Sequence, residues 1–180
     1  MSFGLTGPNL RACGVDYDVR KAYPHGGYDR FQFDTPLGEN GDTLDRFTVR
    51  FREMKESSRI VRQAFDSLPA GPWISADCRL VPPPKESVRG SMEALIRHFK
   101  LMDGGFRVPA GEAYQSVESA RGELGMYVIS DGTNKPFCVR VRPPSLYSIH
   151  ALPAMLEGAQ ISDMVDIIAS TDPVFGEVDR

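Results

Sequence analysis

A chain of 180 residues with 41% apolar composition can bury one core, or two small ones that share an interface. Its 21 basic and 24 acidic side chains are interspersed and leave a formal charge of −3, which argues against a general nucleic-acid binder, since that needs a basic face to displace counterions. No run approaches the ~20 consecutive apolar residues of a membrane-spanning helix, and the opening MSFGLTGPNLRACG has neither a basic leader nor an apolar signal core, so a cytoplasmic or peripheral protein is expected.

Residues 1–41 are rich in Gly, Pro, Asp and Tyr with little periodicity, and read as an extended segment wrapping over another surface. From Gly41 to Leu68 the spacing predicts a long amphipathic helix capped by Asp42 or Thr43. Leu44, Phe47, Phe51, Met54, Ile60, Val61, Ala64, Phe65 and Leu68 form its apolar stripe, expected to be core, and Arg50, Glu53, Lys55, Glu56 and Arg59 its charged face. Pro69 and Pro72 stop it, and Pro82-Pro83-Pro84 is a stiff linker.

A second helix is predicted from about Glu86 to Met102, with Gly104 and Gly105 as terminator and His98 as a hydrogen-bonded or dipole-stabilised structural residue near its end. Ala113–Val117, Gly125–Ile129 and Phe137–Val141 read as strands of an antiparallel meander, with a turn at Asp131–Asn134. Helical pieces near Ser145–Leu156 and Ile161–Ser170 follow, broken by Asp172-Pro173. Helices set apart from a small antiparallel sheet make an α+β fold, with residues 42–180 as one folded unit.

Three cysteines, Cys13, Cys78 and Cys138, stand far apart with no CxxC pair and read as reduced thiols. Two segments are chemically unusual. In Glu118-Ser-Ala-Arg121-Gly122-Glu123-Leu-Gly125, glycines interrupt a strand pattern and could aim Arg121 at a site, the plainer reading being an ion pair with Glu118 or Glu123. The tail, Asp172-Pro173-Val174-Phe175-Gly176-Glu177-Val178-Asp179-Arg180, threads apolar residues between charges; a frayed, solvated tail and a buried one tied by ion pairs are both open.

Five ordered blocks span the chain: Gly4–Ala12 with Gly14–Arg20, Ser91–Ile96 with His98-Phe-Lys100, Arg121–Gly125, Arg142–Ser145 and Asp172–Arg180. Together they resemble the C-terminal part of the 49 kDa (D) subunit family of respiratory complex I, the NADH-quinone oxidoreductase, itself related to the large subunits of nickel–iron hydrogenases. The resemblance implies the C-terminal half of that α+β fold, with the family's N-terminal half missing. Laid on the hydrogenase tail motif, the cysteine positions fall on Val174 and Glu177 and the histidine position on Arg180, so no metal is expected here, thiolates being the soft ligands such a cluster needs.

The resemblance further implies a part in proton-pumping NADH:quinone oxidoreduction. The former metal cavity becomes the deep end of a quinone pocket lined by Asp172, Pro173, Val174 and Phe175, with Arg121 facing it, while Glu177, Asp179 and Arg180 fix the tail through ion pairs. No catalytic residue and no bound cofactor are expected on this chain: quinone is the substrate, the terminal iron–sulfur cluster sits on the neighbouring B subunit, and NADH is bound by another subunit, since no Gly-rich dinucleotide loop follows a strand here. Implied partners are subunits B, C, H and I and the missing N-terminal half of the D subunit itself, at the cytoplasmic face of the membrane. A scaffold that touches no ligand, or a subunit of a membrane-bound hydrogenase-type dehydrogenase, are the competing readings.

Overall fold

The computed structural model describes residues 3–77 and 79–179 and has the expected α+β content. By contacts the chain divides into two compact units, the larger made of residues 1–68, 114–126 and 141–180 and the smaller of residues 69–113 and 127–140. The division does not follow the expected boundary at residue 41, because the first helices of the chain belong with the long helix and the tail.

In the larger unit, the opening segment is less extended than its composition suggests. It holds α1 (Pro8–Ala12), α2 (Val19–Ala22) and a 3-10 turn at Tyr28–Arg30, joined by coil. Proline at the start of α1 costs no hydrogen bond there, and Asp18 caps α2 by accepting from the Arg20 amide. All five residues of α1 are buried, so this segment forms core rather than wrapping it.

The long helix α3 (Thr43–Asp66) begins where Asp42 accepts from the Asp45 amide at 2.7 Å, and Asp45 in turn accepts from the amides of Glu39, Asn40 and Gly41. Its orientation corrects the sequence expectation. Arg46, Val49 and Ile60 are buried, whereas Leu44, Phe47, Phe51, Met54, Val61 and Phe65 are each more than half exposed. With Arg50 and Glu53 half-buried beside Arg46, Val49 and Ile60, the face that packs on α1 and on α7 (Met164–Thr171) carries three charged residues. Glu53 is paired by Arg11 of α1 and Arg46 is bonded to Ser170 of α7, while Arg11 is also paired by Glu118 of β1 (Gly111–Ser119), partners that local periodicity cannot reveal.

The sheet has the order β1, β2 (Gly122–Ser130), β3 (Pro136–Arg142), and the short connections at 120–121 and 131–135 make neighbouring strands antiparallel. α6 (Pro144–Leu156) starts on a proline, and a last turn, α8 (Phe175–Val178), packs against α6. The core of the larger unit is small: Ala12, Val19, Val49 and Ala151 are essentially inaccessible, with Leu10, Phe33, Ile60 and Ile167 around them.

In the smaller unit, the single helix expected over 86–102 is two: α4 (Lys85–Gly90) and α5 (Met92–Gly104). Ser91 takes extended dihedrals and its hydroxyl accepts from the Ala94 amide, so it caps a new helix instead of continuing the old one. α5 ends at Gly105 with φ 62°, a conformation that only glycine adopts without strain. His98 Nδ1 is buried without a partner among the described residues, and the ring sits edge-on to Phe99. No helix among the described residues is long and apolar enough to cross a membrane.

Candidate functional site: two clefts floored by Arg50 and Asp172

Arg121 sits in the two-residue turn between β1 and β2 rather than inside a strand, with its amide donating to Ser119 Oγ. The glycine next to it is required. Gly122 has φ 135° and lies so close to the loop at Thr6-Gly7 that a Cβ there would fall 2.7 Å from Thr6 Oγ1, and a Cβ on Gly7 would fall 2.3 Å from Gly122 Cα. That crossing holds the hairpin tip against the start of α1. From the tip, Arg121 Nε donates to the main-chain oxygen of Asp172 at 3.2 Å and its Nη2 lies 3.3 Å from Asp172 Oδ2.

The plainer sequence reading pairs Arg121 with Glu118 or Glu123. Neither pair forms: Glu118 is bonded to Arg11 at 2.8 Å, and the cation beside Glu123 is Arg142, 3.8 Å away.

Asp172 ends α7 in the left-handed conformation, φ 49°, ψ 56°, the single non-glycine residue with positive φ among those described. That conformation costs a non-glycine residue about 1 kcal/mol, held here by the Ala169 carbonyl accepting from its amide and by the contacts from Arg121. Arg46 and Arg50, one turn apart on α3, grip the same helix end: Arg46 Nε donates to Ser170 Oγ at 2.9 Å and Arg50 Nη1 to the Ser170 carbonyl. Cations at a helix C-terminus meet the negative end of its dipole.

Asn9 ties the arrangement together. Its amide donates to Ser148 Oγ at 3.0 Å and to the Thr171 carbonyl at 3.4 Å, while its oxygen accepts from Arg50 Nη2 at 3.0 Å. Burial pushes the Arg50 and Arg46 guanidinium groups below the ordinary arginine value, only partly offset for Arg50 by Asp172 and Glu53. Arg50 Nε is buried with no partner among the described residues, so this cation retains a donor.

Two clefts meet on this floor. One, of about 640 Å³, runs along Leu44, Phe47, Ala169 and Ser170; the other, of about 370 Å³, along Phe51, Met54, Ser57 and Ala120; both are lined by Phe47, Arg50 and Asp172. Phe47 and Phe51 are stacked, with centroids 6.5 Å apart and an interplanar angle of 19°.

A family model described as the 49 Kd subunit of respiratory-chain NADH dehydrogenase matches residues 1–180. The chain belongs to that family. Among curated relatives, the first of the D subunits of NADH-quinone oxidoreductase in Symbiobacterium thermophilum is 58% identical over 181 residues, covering 100% of this chain and 45% of that protein. NADH-quinone oxidoreductase subunit 4 from Thermus thermophilus is 53% identical over 180 residues, with 100% and 44% covered. The D subunit from Geotalea uraniireducens is 49% identical over 180 residues, with 100% and 46% covered. The chain therefore spans less than half the length of these members of the family.

Of the residues singled out by sequence, Asp172 and Arg121 meet, and Asp172 lines both clefts. Pro173 is half-buried beside it. Val174 and Phe175 line neither cleft; they are 36% and 77% exposed, where the tail turns away into α8. The tail is anchored by hydrogen bonds: the Ser145 hydroxyl bonds the Glu177 carboxylate, and the Val174 amide donates to Ser145 Oγ at 3.4 Å. Ion pairs to Glu177 and Asp179 are absent among the described residues, and Arg180 lies outside them.

Phe47, Arg50 and Asn9 were missed as site residues. A signal existed for Arg50, since three polar residues at 46, 50 and 53 share one helical stripe beside an apolar one. For Asn9, an isolated polar residue in a loop-like segment, local sequence carries none.

Proposed function

We propose that this chain forms one wall of the quinone site of a proton-pumping NADH:quinone oxidoreductase. The observation that carries the reading is the stacked Phe47–Phe51 pair beside a floor of Arg50 and Asp172, with Arg121 bonded to Asp172 from outside the clefts. A quinone is a flat apolar ring with two carbonyl oxygens, and it is best held by aromatic contact plus one or two hydrogen-bond donors. Arg50 lines both clefts, so its positive charge borders a substrate that becomes more electron-rich on reduction. Asp172 holds Arg121 in place, and Pro173 follows it, half-buried.

In this reading the chain supplies no redox centre of its own. Electrons reach the quinone from an iron–sulfur cluster on the neighbouring B subunit, NADH is oxidised elsewhere in the complex, and subunits B, C, H and I with the remaining half of the D subunit complete the peripheral arm on the cytoplasmic side of the membrane. In assembled complex, Phe51→Ala is expected to raise the KM for quinone about three- to tenfold, on the order of 1 kcal/mol for one aromatic contact, with assembly unchanged because the ring is exposed. An assembled variant with unaltered quinone KM and inhibitor sensitivity would contradict the placement.

A second reading is favoured by one observation: the apolar stripe of α3 continues past the clefts through Val61 to Phe65, both more than half exposed, as a docking face would. A pure scaffold would use that whole stripe for protein contact and leave quinone kinetics untouched.

A further inference from the structure

Glu123 lies away from the quinone cleft, at a second and chemically different place in the larger unit. A cleft of about 400 Å³ is lined by three tyrosines, Tyr17, Tyr23 and Tyr114, together with Gln115, Ser116 and Glu123. The Glu123 side chain is only 16% exposed, yet it is poorly compensated. Its cationic neighbour Arg142 stands 3.8 Å away and is committed elsewhere: Nη1 donates to the Glu123 main-chain oxygen at 2.9 Å, Nη2 to the Gly4 carbonyl at 3.0 Å, and the guanidinium lies 4.6 Å over the Tyr147 ring. Among the described residues, the carboxylate's other partner is the Tyr17 hydroxyl, which donates to it at a long 3.5 Å.

The carboxylates next to it are in the opposite condition. Asp18 bonds Arg20 at 2.6 Å and Glu118 bonds Arg11 at 2.8 Å, so no further cation is called for there. Glu123 thus keeps most of the acceptor capacity that an ionised carboxylate offers. Its negative field is felt locally: burial first, and then the charge of Glu123, push the Tyr17 phenol above its ordinary value. Tyr23 and Tyr114, meanwhile, are 65% and 57% exposed.

We propose that Tyr17, Tyr23, Tyr114 and Glu123 form a receptor for an arginine side chain presented by a neighbouring polypeptide. Aromatic faces attract cations through their quadrupole, and a carboxylate at the end of the cleft fixes the charge. Arginine suits the site better than lysine, because its planar guanidinium can stack on a ring while donating two parallel hydrogen bonds to Glu123, and it is more weakly hydrated. The proposal uses no residue of the quinone cleft, so it stands or falls separately from that reading.

The test is a titration of the full chain, carrying carbon-13 in its tyrosine rings, with N-acetylarginine amide, and in parallel with N-acetylcitrulline amide, a neutral ligand of nearly the same shape. Saturable shifts at Tyr17, Tyr23 and Tyr114, at least fivefold weaker binding of the citrulline compound, and at least fivefold weaker arginine binding by Glu123→Gln are expected. Were Glu123→Gln to lose its folded spectrum, Tyr23→Leu, which alters an exposed ring, serves as the second variant and is expected to weaken arginine binding at least twofold. Equal binding of the two ligands, unchanged affinity in the variants, or shifts confined to Tyr28, Tyr127 and Tyr147 would overturn the proposal.

Discussion

Two arginines of the larger unit, Arg11 and Arg50, show how one residue type can be spent in opposite ways. Arg11 is 1% exposed and bonded to three partners: Nε donates to Glu53 at 2.6 Å and Nη1 to Glu118 at 2.8 Å and to the Tyr17 carbonyl at 3.0 Å, with Asp18 at 3.8 Å. It joins α1, α3, β1 and the approach to α2 in one closed knot. Arg50 is also mostly buried, but it borders both clefts and has one donor left over. A satisfied buried charge specifies a fold, whereas an unsatisfied one beside an opening is available to a ligand.

The sharpest way to break that contrast is to remove Arg11. Arg11→Met leaves Glu118 and Asp18 buried without their shared cation, and a loss of about 3–5 kcal/mol is expected, read as a lowered urea midpoint or failure to accumulate folded protein. A variant of near wild-type midpoint would show that the knot is not structural. Arg50→Met is expected to cost less, about 1–3 kcal/mol for the Asn9 and Ser170 bonds, and to lower quinone turnover in assembled complex well beyond what that stability loss explains.

Acid sharpens the same comparison because two carboxylates of the Arg11 knot are shifted in opposite directions. Burial pushes Glu118 up, against the partial pull of Arg11 and with repulsion from Asp18. Burial also acts on Asp18, but hydrogen bonds and charge from Arg20 outweigh it and hold Asp18 below the usual carboxylate range. A raised folded value means that Glu118 contributes stability below its unfolded value and loses that contribution as pH rises through the folded one. A depressed value means that Asp18 contributes above its unfolded value, near the ordinary ~3.9, and loses the contribution as pH falls through its folded one. Stability measured by urea midpoint is therefore expected to rise slightly as pH falls from neutral through the folded value of Glu118, then to drop below the ordinary carboxylate range. Glu118→Gln is expected to flatten the upper part of that profile and leave the acid drop; an unchanged profile would contradict the assignment.

The smallest effect on stability is expected at the cleft floor. Arg121 and Asp172 are 34% and 47% exposed in their side chains, so their ion pair is worth under ~1 kcal/mol, and Asp172→Gly also removes the penalty of a left-handed non-glycine residue. Asp172→Gly is expected to change the urea midpoint by less than ~1 kcal/mol, while altering quinone KM in assembled complex. A large destabilisation would move Asp172 from the ligand site into the structural class.

Much of the fold was legible because it rests on local signals. The cap at Asp42, the proline start of α6, the glycine stop of α5 and the period-two strands are written within a few residues of where they act. The orientation of α3 was not. An apolar stripe ordinarily faces the core. Here Arg46, Arg50 and Glu53 face inward because Ser170, Asn9 and Arg11, distant in sequence, receive them, in a chain that spans less than half the length of its relatives. The site was half legible. The tail motif singled out Asp172, and the glycines around residue 121 singled out Arg121, but Val174 and Phe175 follow the chain away from the floor, while Phe47 and Arg50 reach it from α3.

Photolabelling of the assembled oxidoreductase with a quinone bearing a photoreactive group tests the central claim most directly. Adducts are expected on α3 between residues 43 and 57 and on the segments around Arg121 and Asp172, and they should be competed away by excess quinone. Competed labelling that falls entirely outside these segments would contradict the claim that this cleft holds the substrate.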